Sequence, residues 1–152
     1  MSMTVFVINE GSLELPSSWK DETVNMFTTV QGTGGGGLSF TISRDTLPWG
    51  MTFASFARKE VDTLAANFKH YEQIALEPLE VGGREGLLSE FRWDSAHGPI
   101  HQCMVLTAEG ERVLAFTASM PGRMSEEQKQ QVLERIATFR FKEPPAEDEG
   151  QS

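Results

Sequence analysis

The chain has 152 residues, of which 39% are hydrophobic, enough for one globular domain with a sizeable core. Its 22 acidic and 13 basic side chains give a formal net charge of −9, and such a surface without a basic patch repels nucleic-acid backbones. No segment approaches the roughly 20 apolar residues of a membrane-spanning helix, and the single cysteine, Cys103, excludes an intrachain disulfide.

The first predicted elements are two short strands, at residues 5–8 and 12–15, separated by a turn and stopped by Pro16. The apolar run at 5–8 is too short for the core of a signal peptide and follows no basic leader. We therefore expect a soluble cytoplasmic protein. Trp19, in the loop that follows, is interpreted as a lid on the core.

Residues 23–45 form the most informative stretch, because two strand-like segments flank a glycine-rich loop. Side chains alternate between the faces of a strand, so Val24 and Met26 share one face and Phe27 lies on the other. We expect Phe27 to join the core with the apolar row of the second strand, which comprises Leu38, Phe40 and Ile42. Val24 and Met26 then lie on a half-apolar opposite face, which is a candidate binding surface.

The loop between these strands, residues 32–37, contains five glycines but lacks the signature of a phosphate-binding loop. Such a loop needs a Gly-Lys-Ser/Thr sequence followed by a helix, whose terminal N–H groups hold the phosphate. Here a strand follows and no lysine is present. We interpret the loop as a flexible hairpin connection.

A first helix is predicted from Thr52, as its N-cap, to about Phe68. Its apolar residues recur at helical spacing and indicate packing on a core; they are Phe53, Phe56, Ala57, Val61, Leu64, Ala65 and Phe68. Glu60 lies one turn before Leu64, near the edge of this stripe.

Four strands are predicted at residues 71–81, 84–94, 99–108 and 111–120, and the last three, which are long and joined by tight turns, predict an antiparallel meander. The strand at 99–108 places Gln102 on one face with Ile100, Met104 and Leu106. An amide left unpaired there would cost about 1–3 kcal/mol. Its partner is either a neighbouring strand or helix end, or the backbone of a ligand.

A capping box of Ser125 and Gln128 opens a second helix, whose apolar stripe comprises Val132, Leu133, Ile136 and Ala137. The acidic, proline-bearing residues 143–152 are expected to be a disordered tail. The sequence thus predicts one α+β domain over residues 1–142, with an antiparallel β-sheet of about six to eight strands and two packed α-helices.

We find no spacing typical of a catalytic or metal centre. His97 and His101 straddle a turn, near Glu90 or Asp94, and His101 is assigned to the polar face of its strand. Cys103 is interpreted as a small buried hydrophobe. We therefore expect no enzyme activity, metal or cofactor; a hydrolase using Cys103 and His101 is the least favoured alternative.

Several segments together resemble one family, the DcrB-like proteins, and specifically the Eag (effector-associated gene) chaperones of bacterial type VI secretion. The matching segments are Asn9-Glu10-Gly11, Leu13-x-Leu15-Pro16, Trp19-x-Asp21, Val24-Asn25-Met26-Phe27, Ser39-Phe40-Thr41-Ile42-Ser43-Arg44-Asp45, Phe91-x-Trp93 and Gln102. The resemblance covers about residues 4–141.

The resemblance implies a DcrB/Mog1/PsbP-like fold and a cytoplasmic homodimer with a concave apolar groove. It implies a chaperone that binds N-terminal transmembrane helices of PAAR- or Rhs-containing effectors before export, shields them from water and aids their loading. Neither nucleic acid nor direct insertion into a membrane is part of this function.

The groove positions implied by the resemblance are Val24, Met26, Thr41, Glu60, Leu64, Ile100 and Gln102. Two of them depart from the family pattern, since Thr41 replaces an aliphatic residue and Glu60 replaces a glutamine. The alternative function is a generic DcrB- or Mog1-like interaction module for a folded protein, which need neither dimerise nor bind apolar helices.

Overall fold

The structure is a computed structural model that describes residues 2–29 and 37–142. In chain order its elements are β1 (Met3–Ile8), β2 (Gly11–Pro16), β3 (Asn25–Thr28), β4 (Ser39–Thr46), α1 (Phe53–Asn67), β5 (Glu72–Val81), β6 (Arg84–Ser95), β7 (Gly98–Glu109), β8 (Arg112–Pro121) and α2 (Glu126–Ala137). The predicted α+β class, with antiparallel strands and two helices, is confirmed. Most of the predicted glycine-rich loop and the predicted acidic tail lie outside the described residues.

Six of the strands form one antiparallel sheet in the order β3-β4-β8-β7-β6-β5. The predicted meander supplies β6 to β8, and the strand predicted before it is β5, which pairs with β6. The β3–β4 hairpin joins the meander through pairing of β4 with β8. Strands β1 and β2 pair with each other in a separate two-stranded sheet. Each face of the large sheet is packed against one helix.

Helix α1 begins as predicted, with the Thr52 hydroxyl accepting a hydrogen bond from the backbone N–H of Ser55 at 3.1 Å. Phe56, Ala57 and Val61 are its buried residues. The first two pack on the sheet with Phe91, Met104, Leu106 and Val113. The predicted stripe therefore covers one part of one sheet face, while Ala65 lies on the exposed side of the helix.

Helix α2 covers the opposite face and begins with the predicted capping box. The Ser125 hydroxyl accepts from the N–H of Gln128 at 3.1 Å, and the Gln128 side chain accepts from the N–H of Ser125 at 2.9 Å. Both buried side chains of α2, Val132 and Ile136, pack with core residues of β7 and β8, namely Cys103, Val105, Leu114, Phe116 and Ala118.

Two aromatic side chains expected to contribute to the core are exposed. Trp19 is 61% exposed, so the prediction that it forms a lid is wrong. Phe27 is 56% exposed because β3 is a four-residue edge strand, and its ring contacts Phe40 at a centroid distance of 6.4 Å. Phe40 and Ile42 do pack against the core, as predicted.

Candidate binding surface on the open sheet face

Helix α1 packs on only part of its face of the sheet, and the rest of that face is not in the apolar cluster beneath the helix. Two rows of paired residues cross β3, β4 and β8 there. The first row is Met26, Thr41 and Thr117, and the second is Thr28, Ser39 and Ser119. Gln102 of β7 continues that row beside Ser119. We call this surface the open face, and define it by Met26, Thr28, Ser39, Thr41, Thr117, Ser119, Ile100 and Gln102.

Met26 and Val24 are the apolar side chains at the edge of the open face. Met26 is 66% exposed and Val24, just before β3, is 51% exposed. Phe27 pairs with Phe40 on the opposite face, as the alternation predicted. Ile100 is half-buried on the same face as Gln102, two residues before it on β7.

Gln102 is held by two hydrogen bonds within the sheet. The indole Nε1 of Trp93 donates to the Gln102 Oε1 at 2.6 Å, and the Gln102 Nε2 donates to the Ser119 Oγ at 2.7 Å. Trp93 is in turn stacked on Phe68, at a centroid distance of 4.0 Å and an interplanar angle of 19°. Of the two partners predicted for this amide, the structure provides the neighbouring strand.

The same geometry leaves Gln102 with unused hydrogen-bonding capacity. A primary amide has two N–H donors and two acceptor lone pairs on its oxygen, and the two bonds use one of each. These two bonds fix the orientation of the amide. Because Gln102 is only half-buried, one N–H donor and one oxygen lone pair remain for further hydrogen bonds.

The remaining predicted groove residues sit on β4 and α1. The Thr41 hydroxyl donates to the backbone oxygen of Thr117 at 3.5 Å, a long hydrogen bond. Leu64 is half-buried against the core beneath α1. Glu60, also half-buried, borders a cavity of about 90 Å³ that is also lined by Ser43, Asp45 and Ala115.

The environment of Glu60 disfavours its negative charge. Burial raises the pKa of this carboxyl above its ordinary value, and the nearby Asp45 adds to the increase, while Lys59 partly offsets it. A carboxylate at the edge of a partly apolar face is therefore more readily protonated than a fully solvated one.

A buried polar cluster lies on the α2 side. The sequence placed Glu90 near His101, but it indicated neither the burial of this pair nor its contacts with Lys129 and Met124. His101 Nε2 lies 2.7 Å from Glu90 Oε2, Lys129 Nζ lies 2.9 Å from Glu90 Oε1, and the N–H of Met124 donates to His101 Nδ1 at 2.8 Å. The assignment of His101 to a polar face is wrong: it shares the buried α2 side with Cys103 and Val105. The two-residue alternation along β7 was the available signal.

The hydrogen bonds of this cluster assign the roles of the two ring nitrogens of His101. Because Met124 donates to Nδ1, that nitrogen is the acceptor, and Nε2 carries the proton that His101 donates to Glu90. Burial opposes the charge of Glu90, but hydrogen bonds from Lys129 and His101 outweigh it, and the pKa of Glu90 lies below its ordinary value. Asp94, the other residue predicted near His97 and His101, contacts a different histidine: its Oδ2 lies 2.7 Å from Nδ1 of His70.

Cys103 lies beside the cluster, and ligand atoms of Glu90, His101 and Cys103 fall within 4.8 Å of one another. Lys129 already places a positive charge against Glu90. Burial, followed by the charge of Glu90, raises the pKa of the Cys103 thiol to about 12. A thiolate is needed both for nucleophilic attack and for metal binding, so the geometry favours a structural role for this cysteine.

Neither described helix combines the length and apolar character that a bilayer crossing requires.

The sequence profile of the DcrB family matches residues 10–138. The protein Effector EagT6 of Pseudomonas aeruginosa is 23% identical over 91 residues, which are 60% of this chain and 63% of EagT6. The match thus spans less than two thirds of that relative.

Among solved structures, the crystal structure of PA94 from Pseudomonas aeruginosa, described as a protein of unknown function, is similar with a TM-score of 0.77 and 18% identity. That match covers 93% of this chain and 99% of PA94, and it indicates a shared fold. The solution structure of the PsbP protein CyanoP from Synechocystis sp. PCC 6803 aligns over 90% of this chain and 88% of its own, with a TM-score of 0.47 and 13% identity.

Proposed function

This chain belongs to the DcrB family, and from that premise we propose that it is an effector chaperone of a bacterial type VI secretion system. It binds the N-terminal transmembrane helices of a PAAR- or Rhs-type effector in the cytoplasm, shields them from water and aids the loading of the effector for export. The similarity to EagT6 supports an effector-associated role. The open face supports the mode of binding.

The observation that carries the proposal is the exposure of Met26 on a sheet face whose adjoining part is covered by α1, with Val24 exposed just before the same strand. Apolar surface withdrawn from water contributes about 25 cal/mol per Å², so a transmembrane helix placed here gains free energy that a polar partner would not. Small side chains along the rows of Thr41 and Ser119 permit close approach of that helix, as small residues do between helices in membranes.

Gln102 supplies the polar part of the recognition in this proposal. Its remaining N–H and lone pair are oriented by Trp93 and Ser119 before any ligand arrives, which lowers the entropic cost of ordering it. The amide therefore pairs with a backbone group or a small hydroxyl on the bound helix. Glu60 lies near Ser43, at the border between α1 and the open face, and it contributes least to binding of the helix while its carboxyl group is ionised.

A transmembrane helix is apolar around its whole circumference, but the open face of a single chain can cover only one side of it. We propose that two copies associate, so that two open faces enclose the helical segment. The net charge of −9 per chain keeps such a complex soluble.

The test is co-expression with the N-terminal region of a candidate effector encoded beside the gene, followed by purification through a tag on this chain. A complex of two copies with one effector segment, measured by light scattering, is the expected result. Met26→Asp should abolish the complex and leave the melting temperature within a few degrees of the parent.

The matched control is Ile74→Asp, which makes the same kind of change at an exposed apolar residue on β5, at the far edge of the sheet. Capture that survives Met26→Asp, or is lost equally in both variants, contradicts the assignment of the open face. Binding of a folded protein with no affinity for apolar helices would instead identify the generic interaction module.

A further inference from the structure

Large exposed apolar side chains are concentrated before residue 28. Five of them belong to the β1–β2 hairpin: Met3, Val5, Val7, Ile8 and Leu13. By the register of the hairpin, Met3, Val5 and Val7 lie on one face, and Ile8 and Leu13 lie on the other. The hairpin is therefore apolar on both of its faces.

Among the described residues, this hairpin stands apart from the six-stranded sheet and from its two apolar clusters. Strand β1 pairs with β2 alone among the described strands, and neither apolar cluster beneath α1 or α2 includes a hairpin residue. A two-stranded hairpin is marginally stable by itself in water. Its structure is stabilised when another surface covers it.

The edges of the two sheets differ in how they are protected against pairing. Strand β5 carries Glu72, Glu77, Glu80 and Pro78, with a register shift near its start, and β2 contains Glu14 and Pro16. Charges, prolines and bulges are the usual protection of an edge strand. Strands β1 and β3 also lie at sheet edges but contain no charged residue and no proline.

We propose that the β1–β2 hairpin is an exchange arm between two copies of this chain, in which the free edge of β1 pairs with the free edge of β3 of the second copy. This inference rests on the dimer of the proposed function and adds its interface. It also brings the hairpin of one copy to the border of the open face of the other.

A second copy is favoured as the occupant because the donor and the acceptor surfaces are on the same chain. Each copy offers one β1 edge and one β3 edge, so the exchange is reciprocal and closes with two-fold symmetry. Two chains of net charge −9 repel each other, and β1 and β3 are the two described strands where contact brings no like charges together.

Exposed apolar side chains flank both of the edges that would pair. The five exposed hairpin side chains and Phe27 leave roughly 700 Å² accessible per chain, and the part of this surface beside the paired edges is covered by cross-strand neighbours from the second copy. Because the hairpin is apolar on both faces, it extends the apolar surface next to Met26 of the second copy whichever of its two faces lies on that side.

The first experiment measures the mass of the full chain by light scattering and its dimer dissociation constant by sedimentation. Val7→Lys places a charge on the exposed face of β1, where Val7 is 78% exposed, and should raise the dimer dissociation constant roughly tenfold or more. Ile74→Lys is the matched control on the protected β5 edge and should leave the constant unchanged.

The second experiment asks which strands meet. Val7→Cys and Thr28→Cys proteins are mixed and treated with a short bismaleimide; the native Cys103 is buried and stays unmodified. Cross-linking should appear between the two variants in the mixture. Cross-links confined to pairs of Val7→Cys chains would overturn the exchange, because β1 would then meet β1.

A dimer whose dissociation constant is the same in Val7→Lys as in the parent would also overturn the proposal. A monomeric parent protein would overturn it as well. If the Val7→Lys substitution then abolished binding of an effector segment to that monomer, the partner of the hairpin would be the effector. Helix capture by the unsubstituted chain, measured in parallel, tests the proposed function separately: it can succeed while the arm assignment fails.

Discussion

The two faces of the six-stranded sheet are built from the same strands but have opposite character. On the α2 face, apolar side chains and one buried polar cluster are covered by the helix except at the β3 edge, where Phe27 is exposed, and every charge of the cluster meets a partner. On the α1 face, the helix covers one part, and the part that includes Met26 and Gln102 remains accessible. Alternation assigns a side chain to a face; the element packed on that face decides whether it serves stability or recognition.

The comparison between Gln102 and His101, which are neighbours on β7, shows the same difference at single-residue scale. Both have two hydrogen-bonded partners. His101 is sealed beneath α2, so its bonds anchor the start of that helix. Gln102 faces the open side, so its bonds orient an amide that still has capacity for a ligand.

The largest expected effect is the loss of an aromatic ring from the sealed face. Phe116→Ala should lower the free energy of unfolding by about 3–5 kcal/mol, because the ring is buried against Phe40 and Phe139 and its removal leaves a cavity. Denaturant titration followed by circular dichroism measures the change. Phe27→Ala, at the exposed β3 edge of the same face, is the control; a similar loss there would contradict the distinction between the buried centre of this face and its exposed edge.

The polar cluster should give the next largest effect and a defined pH dependence. The pKa of Glu90 is lowered in the folded protein, so its stabilisation is complete above the ordinary glutamate pKa and is lost as the pH falls through the native value. Glu90→Gln should cost about 1–3 kcal/mol at neutral pH and flatten the stability curve in acid. Unfolding midpoints from pH 3 to 7 test this; an unchanged acid slope would show that Glu90 is not responsible.

On the open face, Gln102→Ala should change stability less than Glu90→Gln and change binding more. The substitution removes two hydrogen bonds and leaves the indole N–H of Trp93 to find water, at a cost of about 1 kcal/mol. Thermal unfolding and helix capture are measured on the same preparation. The control is Ser119→Ala, which keeps the amide; equal helix capture without the amide would show that Gln102 takes no part in the proposed recognition.

The smallest expected effect is at Glu60, and its sign is informative. Since the pKa of this carboxyl is raised on folding, ionisation opposes the folded state, and stability should increase slightly as the pH falls towards the native pKa. Glu60→Gln should therefore be neutral or slightly stabilising at pH 7 and should strengthen helix capture. Asp62→Asn, at an exposed site of the same helix, is the control; a destabilised Glu60→Gln protein would contradict the desolvation argument.

Local signals in the sequence predicted the helices and strands well. The Thr52 cap, the capping box of Ser125 and Gln128, and the alternation of β6 to β8 each depend on residues close together in the chain. The same alternation correctly placed Met26 on the face opposite to that of Phe40.

What could not be predicted depends on which layers meet in three dimensions. Phe27 has the pattern of a core residue, but β3 proved to be an edge that no helix covers. His101 was assigned by its polarity, whereas Glu90 of β6 and Met124 before α2 supply partners from distant positions in the chain. Trp19 shows that a large indole in a loop does not by itself indicate packing.

The indole–amide–hydroxyl chain of Trp93, Gln102 and Ser119 has a consequence for how the meander assembles. Its three members come from β6, β7 and β8, and a slip of one residue in any pairing would turn one of them to the opposite side. A misaligned hairpin would then leave an amide or an indole N–H without its partner on a half-covered surface. These two hydrogen bonds therefore disfavour slipped strand pairings during folding, before any ligand is available to select the correct pairing.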